Sequence, residues 1–588
     1  MRITVDAAEE AGPLQHFWRS TGFTPAELLL REDMQQALTY VGSLPRQGIA
    51  HVRIHYLLNL VDGSDFGTES PLYQWSRLDD GLDALLRNGL RPFFELMGNP
   101  EGWFDDFHDE RKLHTWKRLV RELALHLEDR YGREEVRSWY FESWNEPDIG
   151  FWEHGDEAFL KYYDACSEGL READPQIQFG GPGTCRGLSS TLKKLLAHCD
   201  AGENYFTGES GVRLDFVSVH EKGARACPED LTPDTAGIID AEKRIAEYIR
   251  RNHPALADRP FINDECDPQT GWGNVHTWRA RPYYAALAAR VIHQHQCRLV
   301  DEMGLNYGLL SNDNGFLGGW GNRTLVARFG EEEDLEAGRF EQIKKPVLNA
   351  MALLALLGER RCTVRGAGHG YAPVGALATN DGGAVAVLLY HSRDRISASG
   401  CEPVELHLRG LPFREAALAH YRIDEEHGDP FAEWERNGAP RDMGEADFAR
   451  LRAHHEPGLL EPVEMVSAPR GELRLSFHLP LPSLSLILLV KQPDDAPTGA
   501  CNLRARRYRG LAGKEQVMLS WDAAESAPVR TWEVLHAPAE KEPFQRVSAA
   551  GLICSAYLHA DHRAGDCYKV RAVDYWGRRG PESPVVTP

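Results

Sequence analysis

Hydrophobic and polar positions follow two different patterns along the 588 residues. Up to about residue 365, short apolar runs alternate with segments whose apolar residues recur at helical spacing. The runs are too continuously apolar for strands with one face in water, and they are typical of parallel strands covered on both sides. Eight runs are predicted as strands: 16–23, 50–58, 91–98, 137–146, 176–183, 215–223, 260–267 and 304–313.

Helical segments separate these predicted strands. One of them carries Leu78, Leu82, Leu85 and Leu86 on a single face and is followed by a glycine, which is a common helix exit. Comparable patterns occupy 159–173, 241–252, 283–296 and 344–358. Strands that alternate with helices in this way predict an α/β fold, a (β/α)8 TIM barrel, with a doubly wound sheet as the alternative.

Beyond the barrel segment, assigned to 16–365, the pattern changes. Short strands bounded by glycine, proline and aspartate predict a β-sandwich domain over 366–492. The residues QPDDAPTGA at 492–500 are typical of a linker. The segment 500–588 is strand-rich again, and its end resembles the last strands of a fibronectin type III-like β domain. The N-terminal residues 1–15 begin with a period-two pattern and are predicted to add a strand to the sandwich.

Composition narrows the classes of partner. The 66 basic residues against 88 acidic ones give a net charge of −22, which argues against a nucleic-acid partner. No run approaches the roughly 20 apolar residues of a membrane helix, and no signal peptide is visible, so we expect no membrane contact and a cytoplasmic location. The eleven cysteines lack a CxxC pair, and no His/Cys cluster has zinc-ligand spacing. We therefore predict no metal and no cofactor, and leave the oligomeric state, including a homo-oligomer, open.

Two glutamates lie at the ends of predicted strands, Glu146 at the fourth and Glu265 at the seventh. Active sites of such barrels lie at the carboxyl ends of the strands, so we expect both carboxylates at the same end of the barrel. Glycoside hydrolysis needs such a pair, one protonated to assist the leaving oxygen and one ionised to attack the sugar. Asn145 adds an amide for a sugar hydroxyl. The alternative is that either glutamate forms a structural salt bridge.

The stretches around these residues resemble glycoside hydrolase family 39. They are ESWNEPD, YFTGESGVRLDFVSVHEKGA, NDECDPQTGW, LLSNDNGFLG, RTLVARF and KPVLNAMALLALL. The likeness covers nearly the whole chain. It implies Glu146 as the acid/base and Glu265 as the nucleophile of a retaining double displacement, with carboxyl groups about 5–5.5 Å apart. It also implies removal of terminal α-L-iduronic acid from oligosaccharides derived from dermatan and heparan sulfate.

The same resemblance implies a pocket for a sugar that carries its own carboxylate. Lys222 is the candidate cation, with backbone N–H groups near Gly271 and Trp272 as further donors. Asp313 suits a pair of hydroxyls, and the Arg323 guanidinium can make forked contacts. Each has an alternative: the lysine and the arginine as loop residues, the tryptophan as core packing.

Arg53 and His55 share one face of the second predicted strand, because strand side chains alternate with period two. Both are included among the substrate-binding candidates, and His55 is expected to face the ring hydroxyls. For Arg53 the favoured interpretation is that it holds a catalytic carboxylate in place. A structural role is the alternative for His55.

Other functions stay open at this point. A β-xylosidase or another glycosidase of the same family is one alternative, and an inactive carbohydrate-binding protein is the alternative of another class. A disulfide expected of secreted relatives has no secure counterpart at Cys554 and Cys567. With the missing leader, this indicates a bacterial, cytoplasmic version that acts on short oligosaccharides.

Overall fold

The computed structural model describes residues 1–23, 25–224, 232–315, 317–523, 529–549 and 551–588. Its centre is a closed barrel in which eight parallel strands pair in chain order and the eighth pairs with the first. The predicted fold class, a barrel followed by strand-rich C-terminal domains, is confirmed. The barrel strands are Ser20–Phe23, His51–Ile54, Arg91–Glu95, Tyr140–Glu142, Gln178–Thr184, Val217–Val219, Phe261–Cys266 and Tyr307–Asn312.

The barrel strands are covered on both faces, as their apolar patterns predicted. All six residues of Phe261–Cys266 are buried, for example. Inside the barrel, Phe93, Ile262 and Leu309 from three strands form one apolar cluster with Phe216, which directly precedes the sixth strand. This cluster fills part of the barrel interior, so the polar residues at the carboxyl ends of the strands pack on an apolar layer.

Helices surround the barrel and bury their apolar faces against it. Several begin at capping side chains that accept backbone N–H bonds, for example Ser189 from Leu192 and Asp234 from Gly237. The α-helices of this region are Glu32–Gly42, Ser76–Leu86, Glu110–Tyr131, Arg133–Arg137, Gly155–Ala173, Ser190–Ala201, Thr235–Asn252, Pro282–Gln294, Glu332–Glu336 and Pro346–Leu354, and a π-helix spans His295–Asp301. Single 3-10 turns lie at Ala26–Leu30, Pro45–Gln47, Leu57–Leu60, Pro100–Gly102, Pro254–Leu256 and Thr277–Ala280.

A ten-stranded sheet follows the barrel and includes the N-terminal strand. Arg2–Pro13 runs antiparallel to Arg360–Arg365 and parallel to Gly400–Arg409. The strand Arg360–Arg365, which the sequence assigned to the barrel segment, therefore pairs in this sheet. Apolar residues from distant strands of the sheet share one core cluster, so the sheet folds over itself. Its other strands are Val374–Asn380, Ala384–His391, Glu415–Ile423, Gly458–Leu459, Glu464–Ser467, Leu473–Leu481 and Ser483–Val490.

Two helices that the sequence pattern did not predict, Pro430–Arg436 and Glu445–Ala453, lie between strands of this sheet. Their apolar residues pack with Trp320 and with the hairpin formed by Val326–Phe329 and Glu341–Lys344. The folded-over sheet domain thus supports the loop that follows the eighth barrel strand.

The C-terminal module contains two three-stranded sheets packed around a core that includes Trp521 and Trp532. One sheet is built from Cys501–Arg509, Glu515–Asp522 and Ala556–His559, the other from Gln545–Arg546, Val529–Ala537 and Cys567–Asp574. The exact division of the chain into domains stays a prediction. Within the described residues, helices are all too short or too polar to cross a bilayer.

Candidate active site

The two predicted catalytic glutamates reach the barrel mouth by different routes. Glu265 belongs to the seventh barrel strand, whereas the fourth strand already ends at Glu142, so Glu146 lies in the following loop. Glu146 has φ of 40°, a left-handed conformation that costs a non-glycine residue about 1–3 kcal/mol. Its N–H donates to the carbonyl of Gly183 at 3.0 Å. This anchored turn directs the Glu146 side chain back over the barrel.

His220 joins the two glutamates. Its Nδ1 lies 3.0 Å from Oε1 of Glu146 and 3.5 Å from Oε2 of Glu265. One carboxylate oxygen of each glutamate and this ring nitrogen all lie within 4.8 Å of one another. The geometry is compatible with the short carboxyl separation of retaining enzymes, about 5–5.5 Å.

Arg53 lies beneath this pair and is 1% exposed. Its guanidinium contacts one amide and four carboxylates, those of Asn145, Glu95, Glu142, Asp264 and Glu265. The contact to Oε1 of Glu265 is 2.8 Å. Burial opposes the charge of Arg53, but the surrounding carboxylates outweigh it and hold its pKa well above the usual value. With its nitrogens directed at protein acceptors, Arg53 is placed to orient Glu265, the predicted nucleophile, in agreement with the favoured interpretation.

His55 lies next to Arg53 and contacts two of the same carboxylates, those of Glu95 and Glu265. Its Nδ1 is 2.7 Å from Oε2 of Glu95, and its Nε2 is 3.3 Å from Oε1 of Glu265. Burial lowers the pKa of His55, but Glu95 and Glu265 outweigh this and raise it to about 9. The ring is therefore a cation at neutral pH, next to Glu265.

Lys222 places an ammonium group beside both glutamates. Its Nζ is 2.6 Å from Oε2 of Glu265, 3.3 Å from Oδ2 of Asp313 and 3.7 Å from Oε1 of Glu146. Burial opposes this charge, yet Glu265 and Asp313 outweigh it and raise the lysine pKa. Lys222, the candidate cation, thus lies inside the site rather than in solvent as a loop lysine would.

Arg323 and Asp313 complete this side of the pocket. Nη1 of Arg323 is 3.0 Å from Oδ2 of Asp313. Nε and Nη2 of the same guanidinium are buried and have no hydrogen-bond partner among the described atoms. An unsatisfied buried donor is costly, so these two nitrogens are suited to an anionic or hydroxyl-bearing ligand.

Gly271 and Trp272 lie in the loop after the seventh barrel strand, at the rim. Trp272 is 49% exposed, and its ring lies 2.8 Å from the position that a Cβ on Gly315 would occupy. Gly315 follows Asp313 by two residues, so the indole covers the loop that carries this aspartate and Arg323. The half-exposed ring suits a sugar platform better than core packing.

A match to a sequence model of a protein family shows the family of this chain. The model described as "Glycosyl hydrolases family 39" matches residues 1–471. The chain belongs to glycosyl hydrolase family 39. A second model, described as "Alpha-L-iduronidase C-terminal domain", matches residues 510–587. The family inferred from the sequence resemblance is therefore confirmed.

Individual relatives cover the whole chain. The chain is 39% identical to alpha-L-iduronidase of Canis lupus familiaris, over 99% of this chain and 92% of the relative. Identity to alpha-L-iduronidase of Homo sapiens is 38%, over 99% and 93%. A solved structure described as a bacterial orthologue of the human enzyme is 40% identical, has a TM-score of 0.95 and covers 100% of this chain and 99% of its own. A beta-xylosidase of Caldicellulosiruptor saccharolyticus is 26% identical over 77% of this chain.

In this family 39 site, the surrounding charges lower the pKa of both glutamates, and that of Glu265 more strongly. Burial alone would raise the pKa of Glu265, but His220 and Lys222 outweigh it and hold the pKa well below its usual range. For Glu146, burial and the charge of Glu265 raise the pKa, but the hydrogen bond and charge of His220 and the charge of Lys222 together outweigh them, so the pKa is lowered. In the substrate-free site Glu265 is thus firmly ionised, and the proton between His220 and Glu146 lies on the histidine.

Residues beneath the pair complete the network, and the sequence interpretation did not assign them. His220 precedes Lys222 by two residues within the predicted strand 215–223, although the observed strand ends at Val219, so a period-two pattern could have pointed to it. Glu142 ends the fourth strand, and burial raises its pKa well above the usual value. Gly183 has φ of +61°, and a Cβ there would lie 3.1 Å from Oε1 of Glu142 and 3.3 Å from Nε2 of His220, so glycine makes room for this layer.

Lys345 is a further residue that sequence analysis missed. It is fully buried, and its Nζ donates to the carbonyls of Gly319 and Asn322 at 3.0 and 2.9 Å and to Oγ1 of Thr324 at 2.7 Å. Burial drives its pKa well below the usual value. These bonds surround Arg323 in the chain, so Lys345 fixes the loop that delivers this guanidinium.

The Glu146, His220 and Glu265 side chains have the spacing of possible metal ligands. The charge that a metal would supply is already present, because the Lys222 ammonium and the Arg53 guanidinium contact Glu265 at 2.6 and 2.8 Å. Such a donor set suits an organic substrate better than a divalent ion. The expectation of a metal-free reaction stays a prediction.

Proposed function

We propose that this family 39 protein is a retaining exo-glycosidase that removes terminal α-L-iduronic acid from short oligosaccharides derived from dermatan or heparan sulfate. The observation that carries the proposal is the Lys222 ammonium beside Glu265, with the unsatisfied guanidinium nitrogens of Arg323 across Asp313. A neutral sugar has no group that requires two cations in a shielded pocket. The full-length similarity to alpha-L-iduronidases supports the same substrate.

In the first step Oε of Glu265 attacks the anomeric carbon, and the bond to the leaving oxygen breaks. Glu146 donates its proton to that oxygen, so the leaving sugar departs as a neutral alcohol. The product of the step is a glycosyl ester on Glu265. Arg53 and His55 hold the attacking carboxylate in position through Oε1, while Oε2 faces Lys222.

In the second step Glu146 acts as the base. It takes a proton from water, and the resulting hydroxide oxygen attacks the anomeric carbon and releases Glu265 as a carboxylate. Two inversions give net retention. Asn145 accepts from Nη2 of Arg53 through Oδ1 at 3.2 Å, which leaves its amide N–H groups as donors to a sugar hydroxyl.

A reducing compartment fits the cysteines. The ten cysteines that the structure describes are all free thiols, including Cys554 and Cys567. We therefore propose a cytoplasmic enzyme that acts on oligosaccharides already shortened by other enzymes.

A panel of 4-methylumbelliferyl α-L-iduronide, β-D-glucuronide and β-D-xyloside tests the proposal. We expect turnover of the iduronide at a rate that exceeds that of the other two by orders of magnitude, with retention of configuration by NMR. Glu265→Ala, prepared in parallel, should be inactive and reports contaminating activity. Preferred hydrolysis of the xyloside would favour the xylosidase alternative, for which the 26% identical relative is the precedent. No turnover of any glycoside would favour a binding protein.

A further inference from the structure

A group of metal-binding side chains lies in the C-terminal module, remote in sequence from the catalytic residues. His536 lies on the strand Val529–Ala537, His559 ends the strand Ala556–His559, and Asp566 directly precedes the strand Cys567–Asp574. One ring nitrogen of each histidine and one carboxylate oxygen of Asp566 lie within 4.8 Å of one another. We infer that the C-terminal module binds a divalent transition-metal ion, with zinc as the best fit, between His536, His559 and Asp566.

The contact between two of these side chains is that of neighbouring ligands. Nε2 of His536 lies 3.1 Å from Oδ2 of Asp566. Despite this distance, Nε2 is buried and has no hydrogen-bond partner among the described atoms. Tetrahedral zinc with bonds of about 2.0–2.1 Å places adjacent donor atoms roughly 3.3 Å apart. The two donor atoms are therefore about as far apart as neighbouring zinc ligands.

The donor set matches the chemistry of zinc. Two imidazoles and one carboxylate suit zinc better than calcium or magnesium, which prefer oxygen donors throughout. Three protein ligands leave a fourth position for water or for another side chain. The phenol oxygen of Tyr568 borders the group, at 2.8 Å from Nδ1 of His559 and 3.0 Å from Nδ1 of His562.

Surrounding residues hold these donors in place. The backbone N–H of Arg563 donates to Oδ2 of Asp566 at 2.8 Å, which fixes the carboxylate orientation. The His562 side chain is 1% exposed, and its Nδ1 lies 3.6 Å from the same oxygen. Hydrogen-bonded partners of this kind orient ligands in known metal sites.

The metal would join the two sheets of the module. His536 belongs to one three-stranded sheet and His559 to the other, so a shared ion links them. Cys554 and Cys567 are both free thiols, and no disulfide joins these sheets within the described part of the chain. A bound ion would therefore act as the cross-link that the module otherwise lacks.

The test uses the full chain, stripped with a chelator and dialysed against zinc, with metal content measured by plasma mass spectrometry and affinity by calorimetry. We expect one zinc per chain and a rise of the thermal midpoint on zinc addition. His559→Ala and Asp566→Asn should each weaken zinc binding at least tenfold and abolish that rise. The matched control His454→Ala changes an exposed histidine and should bind zinc like the unchanged protein.

A second control separates this site from the catalytic centre. Glu265→Gln removes one member of the other group of potential ligands and should leave zinc binding in the C-terminal module intact. Cobalt in place of zinc should give the visible absorption bands of a four-coordinate ion, lost in His536→Ala. Circular dichroism establishes that each variant is folded. Absence of stoichiometric zinc, or zinc binding lost in Glu265→Gln but retained in His559→Ala, would overturn the proposal.

Discussion

Replacing Lys222 by methionine should remove the preference for a uronic acid. The ammonium of Lys222 has two tasks in the proposed mechanism: it contacts Oε2 of Glu265 at 2.6 Å, and it is available to the carboxylate of the sugar. The contact with Glu265 affects the reaction of every substrate, whereas the contact with the sugar carboxylate affects only uronic acids. Methionine has a similar length and volume but no charge, so it removes both tasks while filling the space.

The magnitude follows from the kind of bond that is lost. A hydrogen bond to a charged partner contributes about 1.5–3 kcal/mol, which corresponds to roughly a 10- to 150-fold change in rate. The loss at Glu265 lowers kcat/KM for all sugars. The loss of the contact with the sugar carboxylate lowers kcat/KM by a further 10- to 150-fold, roughly, and only for an iduronide.

The assay therefore compares two substrates in the same variant. 4-Methylumbelliferyl α-L-iduronide and the matching α-L-idopyranoside differ only in the carboxylate, which is a hydroxymethyl group in the second. We expect the ratio of their kcat/KM values to fall roughly 10- to 150-fold in Lys222→Met. Lys161→Met, which changes a surface lysine paired with Glu157 at 3.3 Å, should leave the ratio unchanged. Equal losses for both substrates would refute the assignment of Lys222 to the sugar carboxylate.

The remaining predictions concern the network around the two glutamates. Arg53→Ala leaves the buried carboxylates of Asp264 and Glu265 without their cation and should lower the free energy of unfolding by about 3–5 kcal/mol in urea titrations. Glu146→Gln removes the proton donor and should lower turnover of an aryl iduronide about 10²–10⁴-fold, with azide restoring rate as a glycosyl azide of retained configuration. Lys345→Met frees the loop around Arg323 and should lower kcat/KM about 5- to 150-fold, mainly through KM. The alkaline limb of kcat should lie at higher pH than that of kcat/KM, because an anionic substrate that engages Lys222 withdraws one of the charges that, after His220, lower the pKa of Glu146.

Each of these expectations has a result that contradicts it. An unchanged urea midpoint for Arg53→Ala would mean that the buried carboxylates are protonated rather than paired. Failure of azide to rescue Glu146→Gln would remove this residue from the acid/base role. For Lys345→Met, a loss confined to kcat would place the lysine in the chemical step. For the pH profiles, a required proton donor supports activity below its pKa, and activity is lost above it. Alkaline limbs at the same pH in kcat and kcat/KM would therefore show that the substrate does not shift the pKa of Glu146.

The barrel could be predicted because its signal is local. Parallel strands buried on both sides give continuous apolar runs, and Phe261–Cys266 is such a run with every residue buried. The site could be predicted from one rule, that the carboxyl ends of the barrel strands lie at the same end of the barrel. In the structure Glu146, Glu265 and Lys222 do lie within hydrogen-bonding or ion-pair distance of one another there.

What the sequence could not give are the contacts that depend on non-local pairing. The sequence favoured Arg53 as a residue that holds a catalytic carboxylate, but it could not show that Glu95 and Asp264 converge on the same guanidinium from other strands. The strand Arg360–Arg365 was assigned to the barrel because its partner, Arg2–Pro13, lies at the other end of the chain. Spacing rules for metal motifs require ligands close in sequence. They cannot detect a group such as His536 and His559, which only sheet packing brings together.

The selectivity for a charged sugar and the activation of the catalytic pair follow from the same contact. In the substrate-free site Glu265 is held by four cationic groups, from His220, Lys222, His55 and Arg53, and its depressed pKa makes it a weak nucleophile. A uronate that draws Lys222 toward its own carboxylate loosens the hold on Glu265. The same movement takes positive charge away from Glu146, 3.7 Å from Nζ, and so favours its protonated form. A neutral sugar would change neither group, and its lower reactivity would appear in kcat as well as in KM, because interactions used in the transition state raise kcat.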